Sequence, residues 1–142
     1  MKTSHPKPAQ PLWHVIDADG QTLGKIAVAA ARLLRGKHRA TFVPHQMCGD
    51  HVVVVNTEKI AIPGNKGIKK IYYKHTGYLG GLKSQSLEEM MRKKSDRVIE
   101  IAVKGMLPRN KLRAQMLKRL HAFIGAEHPY GAQKPTSFSI SK

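Results

Sequence analysis

Apolar residues along this chain recur with two different periods, and the switches between them mark out its elements. LWHVI at 12–16 and HVVVV at 51–55 are strand-sized runs; the turn-like DADG closes the first, and the second is β-branched like strands buried on both faces. Between them Leu23, Ile26, Ala27, Ala30, Leu33 and Leu34 recur at helical spacing, with Thr22 placed to cap the start and Gly36 to close the end. Strand, helix and strand with a long crossover predict a right-handed βαβ unit, and therefore a parallel sheet.

Further along, short strands are expected at Ile60–Ile62 and Ile71–Tyr73, separated by the basic turn GNKGIKK. Ser86 followed by Glu89 forms a capping box ahead of Met90 and Met91, and Val98, Ile101 and Ala102 line the helix that follows. Gly105 and Pro108 are expected to end it. A last helix is then predicted from Asn110, because Leu112, Met116, Leu120 and Phe123 form an apolar stripe with Leu117 and Ile124 alongside. Lys111, Gln115 and Lys118 lie opposite. Residues 1–11, with Pro6, Pro8 and Pro11, read as an extended N-terminal arm, and residues 12–124 as one α/β domain. Residues 125–142, with Pro129, Gly131, Pro135 and no clear period, are expected to be a tail ordered mainly by a partner.

Charge then narrows the function. Twenty-five Lys and Arg against nine Asp and Glu leave a formal net charge of +16, a self-repulsion that an anionic partner such as nucleic acid would relieve. The excess is concentrated in three acid-free stretches. Lys25, Arg32, Arg35, Lys37 and Arg39 make the first; Lys59, Lys66, Lys69, Lys70, Lys74 and Lys83 the second; Lys104, Arg109, Lys111, Arg113, Lys118 and Arg119 the third. His38 and His75 join them as RNA-contact candidates because Lys37, Arg39 and Lys74 flank them. A lone Cys48 rules out an internal disulfide and fits a reducing, cytoplasmic setting; no apolar run is long enough to span a membrane, and no secretory signal is visible.

Motifs that would argue for catalysis fail on their details. GQTLGK at 20–25 is one residue short for a phosphate loop, and Ile26 stands where a magnesium-binding hydroxyl is needed. Asp17 and Asp19 open like a calcium loop, but Gln21, Thr22 and Val28 do not continue it. GYLGG at 77–81 lacks the strand-then-helix setting of a dinucleotide fingerprint. His45, Cys48 and His51 have metal-ligand chemistry without a second Cys to complete a zinc site. No paired carboxylates and no triad are recognisable, so no enzyme activity, cofactor or metal is expected. An RNA-modifying enzyme would need a catalytic constellation that only folding assembles, and a free regulatory RNA-binding module would show the same charge.

Four segments, WHVIDADGQTLGKIA, LLRGKHRATFVPHQMCGDHVVVVN, KIYYKHTGYLGG and RVIEIAVKGMLPRNKLRAQMLKRLHAFIGAEHPYGAQKP, occur in this order across residues 12–135. Together they closely resemble the bacterial form of the universal large-subunit ribosomal protein family thirteen. The resemblance implies a three-layer α/β/α domain with a four-stranded parallel sheet and extended N- and C-terminal segments. It also implies no catalysis and a structural place in the cytoplasmic ribosome, on large-subunit ribosomal RNA and beside neighbouring large-subunit ribosomal proteins, with no homo-oligomer. By position, Arg35–Arg39, the KIYYKHTGYLGG segment and GMLPRNK match family stretches that face rRNA. Family members often carry Gly then Arg where this chain has Arg113 then Ala114, which displaces the charge by roughly a hundred degrees of helix.

Overall fold

The computed structural model describes Lys7 and residues 9–140; Pro6 and Pro8 of the expected arm, and the last two residues of the chain, lie outside the described residues. Strand β1 (Trp13–Asp17) pairs in parallel with β2 (His51–Val55), from Trp13 opposite His51 to Asp17 opposite Val55. Helix α1 (Leu23–Arg35) is the crossover, burying Ile26, Ala27, Ala29, Ala30, Leu33 and Leu34. Thr22 starts it with extended backbone but no side-chain cap, whereas Gly36 ends it in the left-handed conformation, its N–H reaching the carbonyls of Arg32 and Leu33.

After β2 the chain departs from the expected pattern. Residues 57–59 make a short 3-10 turn, and Ile60–Ile62 is not a strand: only Ala61 bridges, to Thr22, while Ile60 is buried. The run therefore serves the core with a single bridge in place of a strand. A single helical turn, α2 (Lys66–Lys69), lies inside the expected basic turn. Strand β3 (Ile71–His75) pairs antiparallel with β4 (Leu82–Ser86), a hairpin separate from the main sheet. Helix α3 (Leu87–Met106) starts where expected, with Ser86 Oγ accepting from the Glu89 amide at 3.3 Å. It is broken at Lys94 (φ −154°, ψ 76°) and then runs through Gly105. Leu107 is extended, as the residue before Pro108 must be, so proline and not Gly105 sets the stop.

The last helix, α4, covers only Leu112–Leu117; Leu120–Ala122 form β5, parallel to β2, in place of the expected final helical turn. The edge of β2 explains the switch. Its Val52 N–H donates to the Arg119 carbonyl at 2.9 Å and its Val54 carbonyl accepts from Phe123 N–H at 2.8 Å, so the strand satisfies groups that a continued helix would leave open. Residues 125–140 are likewise not a free tail. A 3-10 turn at Pro129–Gln133 leads to β6 (Thr136–Ser137), which joins the other edge of β1.

The sheet order is β5-β2-β1-β6, all parallel, consistent with the expected three-layer α/β/α arrangement. Alternation sends Ile16, Val52, Val54 and Leu120 to one face, where they share a core with α1, Ile99 and Val103 of α3 and Met116 of α4. Trp13, His51 and His121 point the other way and stack: Trp13 and His51 have ring centroids 4.2 Å apart and planes 8° apart, and Tyr130 from the C-terminal segment closes on Trp13 at 4.7 Å. The Tyr130 hydroxyl meets His121 Nδ1 at 3.1 Å. Aromatic packing thus fastens the C-terminal segment to the sheet.

Candidate nucleic-acid interface

Each cationic stretch lands on a different element. Lys25 is exposed on α1, Lys37 on the loop after it, and Lys66, Lys69 and Lys70 cluster on and beside α2, all exposed. Arg35 is half-buried with its guanidinium 5.4 Å from the Phe42 ring centroid, and Lys70 Nζ lies 5.3 Å from that of Tyr72. Arg109 and Lys111 are exposed before α4 and Lys118 directly after it; Arg113, on α4, is half-buried.

Two of the candidate arginines work inside the protein. The Asp50 carboxylate, fully buried at the entry to β2, accepts from the Leu12 amide at 2.8 Å and from Arg39 through Oδ1, and meets His14 Nε2 at 3.1 Å and His38 Nε2 at 2.8 Å through Oδ2. Burial pushes the carboxyl up, but the Leu12, His14 and Arg39 hydrogen bonds and the Arg39 charge outweigh it and hold the group below its ordinary value. Arg39 also donates to the Gln10 carbonyl at 3.0 Å. The loop after α1 is therefore clasped to the start of β1 and β2, and Arg39 and His38 do not radiate freely from it. Arg119 donates to the Gly49 carbonyl. Gly49 itself passes so close to α1 that a Cβ there would sit 1.7 Å from the Leu34 carbonyl oxygen, a contact only glycine permits.

Among the described residues His14, His38 and Asp50 are the one group with metal-ligand atoms within 4.8 Å of one another. His14 and His38 both meet Asp50 Oδ2 while the Arg39 cation lies on Oδ1, so the cluster ties the loop after α1 to the starts of β1 and β2. Cys48 is buried against the carbonyls of Thr41 and Val43, apart from any such group.

A groove lies between the β3–β4 hairpin and α3. Lys74 and Lys83 from the hairpin and Lys93, Lys94, Arg97 and Lys104 from α3 line it, together with Tyr72, Tyr73, Met90 and Ile101, and no acidic residue does. Three of these cations, Lys74, Lys83 and Lys104, are among the sequence candidates; Lys93, Lys94 and Arg97 are not. They share α3 with Glu88, Glu89, Asp96 and Glu100, so along the chain they read as an ordinary mixed-charge helix. Beyond the break at Lys94, positions 97, 101 and 104 follow one helical stripe, which the sequence does show. Arg97 also reaches Glu100 Oε2 at 3.3 Å in the open, a contact of little energetic weight. His75 is exposed beyond the groove, its Nδ1 accepting from the Gly77 amide at 3.0 Å.

Comparison with known proteins bears on the whole chain. It is 52% identical over 144 aligned positions to large ribosomal subunit protein uL13 of Salinispora arenicola, spanning 100% of this chain and 98% of that one. The protein of the same name from Micrococcus luteus is 51% identical with the same coverage, and that from Symbiobacterium thermophilum 47% over 96% of each chain. The family described as Ribosomal protein L13 matches residues 11–129, which takes in the sheet strands β1, β2 and β5, the groove and the clasp around Asp50. On this match and these relatives, the chain belongs to the ribosomal protein L13 family.

Proposed function

We propose that the chain is a structural constituent of the large ribosomal subunit, not an enzyme, and that it binds and stabilises folded large-subunit rRNA in the cytoplasm. The observation that carries this reading is similarity at about half identity, over the full length, to proteins named for that subunit. The distribution of charge supports it. Exposed Lys37, Lys66, Lys69, Lys74, Lys83, Lys104, Lys111 and Lys118 extend from a rigid core, and lysines neutralise phosphates and release their counterions without needing a particular base sequence. Neighbouring large-subunit proteins are the expected further partners.

The full-length protein binding to large-subunit rRNA at graded salt provides the test. With six to ten phosphates neutralised, affinity falls by about a thousandfold or more between roughly 50 and 200 mM salt. The triple variant Lys37→Ala, Lys69→Ala, Lys118→Ala, built on exposed side chains, makes the logarithmic salt dependence shallower by up to about two units while the circular dichroism stays that of the parent. A flat salt response in the parent overturns the reading.

A further inference from the structure

We propose that His14, His38 and Asp50 form a zinc-type metal site, which fastens the loop after α1 to the starts of β1 and β2. Its ligand atoms come from residues far apart along the chain, so the expectation of no metal, drawn from His45, Cys48 and His51, did not reach them. The direction of the hydrogen bonds argues for it first. The Thr136 hydroxyl donates to the Trp13 carbonyl at 3.1 Å, so toward His14 Nδ1, at 3.0 Å, it accepts. The ring proton of His14 is therefore on Nδ1. In a neutral imidazole that leaves a bare lone pair on Nε2, and this nitrogen faces Asp50 Oδ2 at 3.1 Å. Two lone pairs at that distance repel unless a cation lies between them.

The donor set decides which cation. His38 Nε2 approaches the same oxygen at 2.8 Å, so two imidazole nitrogens and one carboxylate oxygen converge. Such a set suits Zn2+ with a fourth position left for water, whereas Mg2+ and Ca2+ take oxygen ligands. Oδ1 is held by the Leu12 amide and Arg39, and His14 Nδ1 by Thr136, the outer hydrogen bonds that orient ligands around a metal. Zinc bonds of about 2.0–2.2 Å set the ligand atoms about 3.4 Å apart, an opening of about half an ångström at His38. His38 lies on an exposed loop with its side chain 25% accessible, which gives it room to shift and the ion a way in. A proton on His14 Nε2 is the rival occupant, and metal titration separates the two.

The experiment dialyses the full-length protein, stripped with chelator, against graded zinc chloride and against cobalt chloride, whose visible absorption reports four-coordinate ligation. The parent retains one zinc per chain, and its melting temperature climbs with zinc concentration because the ion binds the folded state. His38→Ala, made at an exposed residue, lowers zinc affinity by about a hundredfold or more and removes the cobalt absorption while circular dichroism stays that of the parent; His75→Ala, at an exposed histidine elsewhere, changes neither. Thr136→Val weakens zinc binding by about tenfold, because it releases the His14 ring. Zinc retention by the parent no greater than by His38→Ala, a cobalt spectrum that survives His38→Ala, or a melting temperature indifferent to zinc overturns the proposal and leaves the cluster as an ion pair with a protonated His14.

Discussion

At the scale of single residues, charge and glycine have fates that neighbours in sequence do not reveal. Arg39 belongs to a basic loop segment, RGKHR, yet its guanidinium ends on Asp50, eleven positions away and fully buried. Lys37, two residues earlier, stays exposed. The two cations therefore respond differently to removal. Lys37→Ala leaves stability nearly unchanged, while Arg39→Ala takes the arginine from a buried carboxylate, leaving it to the Leu12 amide and two histidines, and costs about 3 kcal/mol, read as a lower denaturant midpoint at unchanged slope. Replacing the whole RGKHR cationic set would consequently test folding as much as RNA binding. A stability loss for Arg39→Ala no larger than for Lys37→Ala would show that the clasp is not holding the loop.

Elements show the same division between local and distant causes. The helix α1 is specified within its own residues: an apolar stripe, helix-favouring alanines, and Gly36 at φ 81° to stop it. The segment after Asn110 is different, because its apolar spacing fits a helix and half of it becomes strand β5 on the edge of β2. Met116 anchors the helical half. At 2% exposure it sits in the core shared by Leu120 and α1, so Met116→Asp forces a charge into that core and costs about 4 kcal/mol or more, enough to abolish cooperative melting in a marginally stable domain. A variant that melts like its parent would place α4 outside the core.

For the whole molecule, the stack of Trp13, His51, His121 and Tyr130 joins the C-terminal segment to three strands of the sheet and makes stability depend on pH. Burial lowers the pKa of His51, helped by the charges of Arg119 and His121 and opposed by Asp50, and burial lowers that of His121. Because the folded values lie below the unfolded 6.5, the unfolded chain takes up protons that the folded one refuses. Stability from these groups is full above that value and is lost as pH falls below it. Melting temperature is therefore lower at about pH 5.5 than at about pH 7.5, and His51→Gln with His121→Gln flattens the difference. Asp50, held below 3.8, contributes its own loss only in more acidic solution.

The sequence by itself determined the βαβ start, the onset of α3, the place of Pro108 after its end, the excess of positive charge and, through four segments in order, the family. These depend on periodicity, caps and composition, which act within a few residues of the chain. Tertiary structure alone decided that Leu120–Ala122 and Thr136–Ser137 complete the sheet, because the strand edges they satisfy belong to residues 52–54 and 14–15. It also decided which cations face outward. Arg39 and Arg119 turn in to Asp50 and Gly49, and Lys93 and Lys94 turn out beside the hairpin, since an ion pair or a groove is formed by distance in space and the chain records only distance along itself.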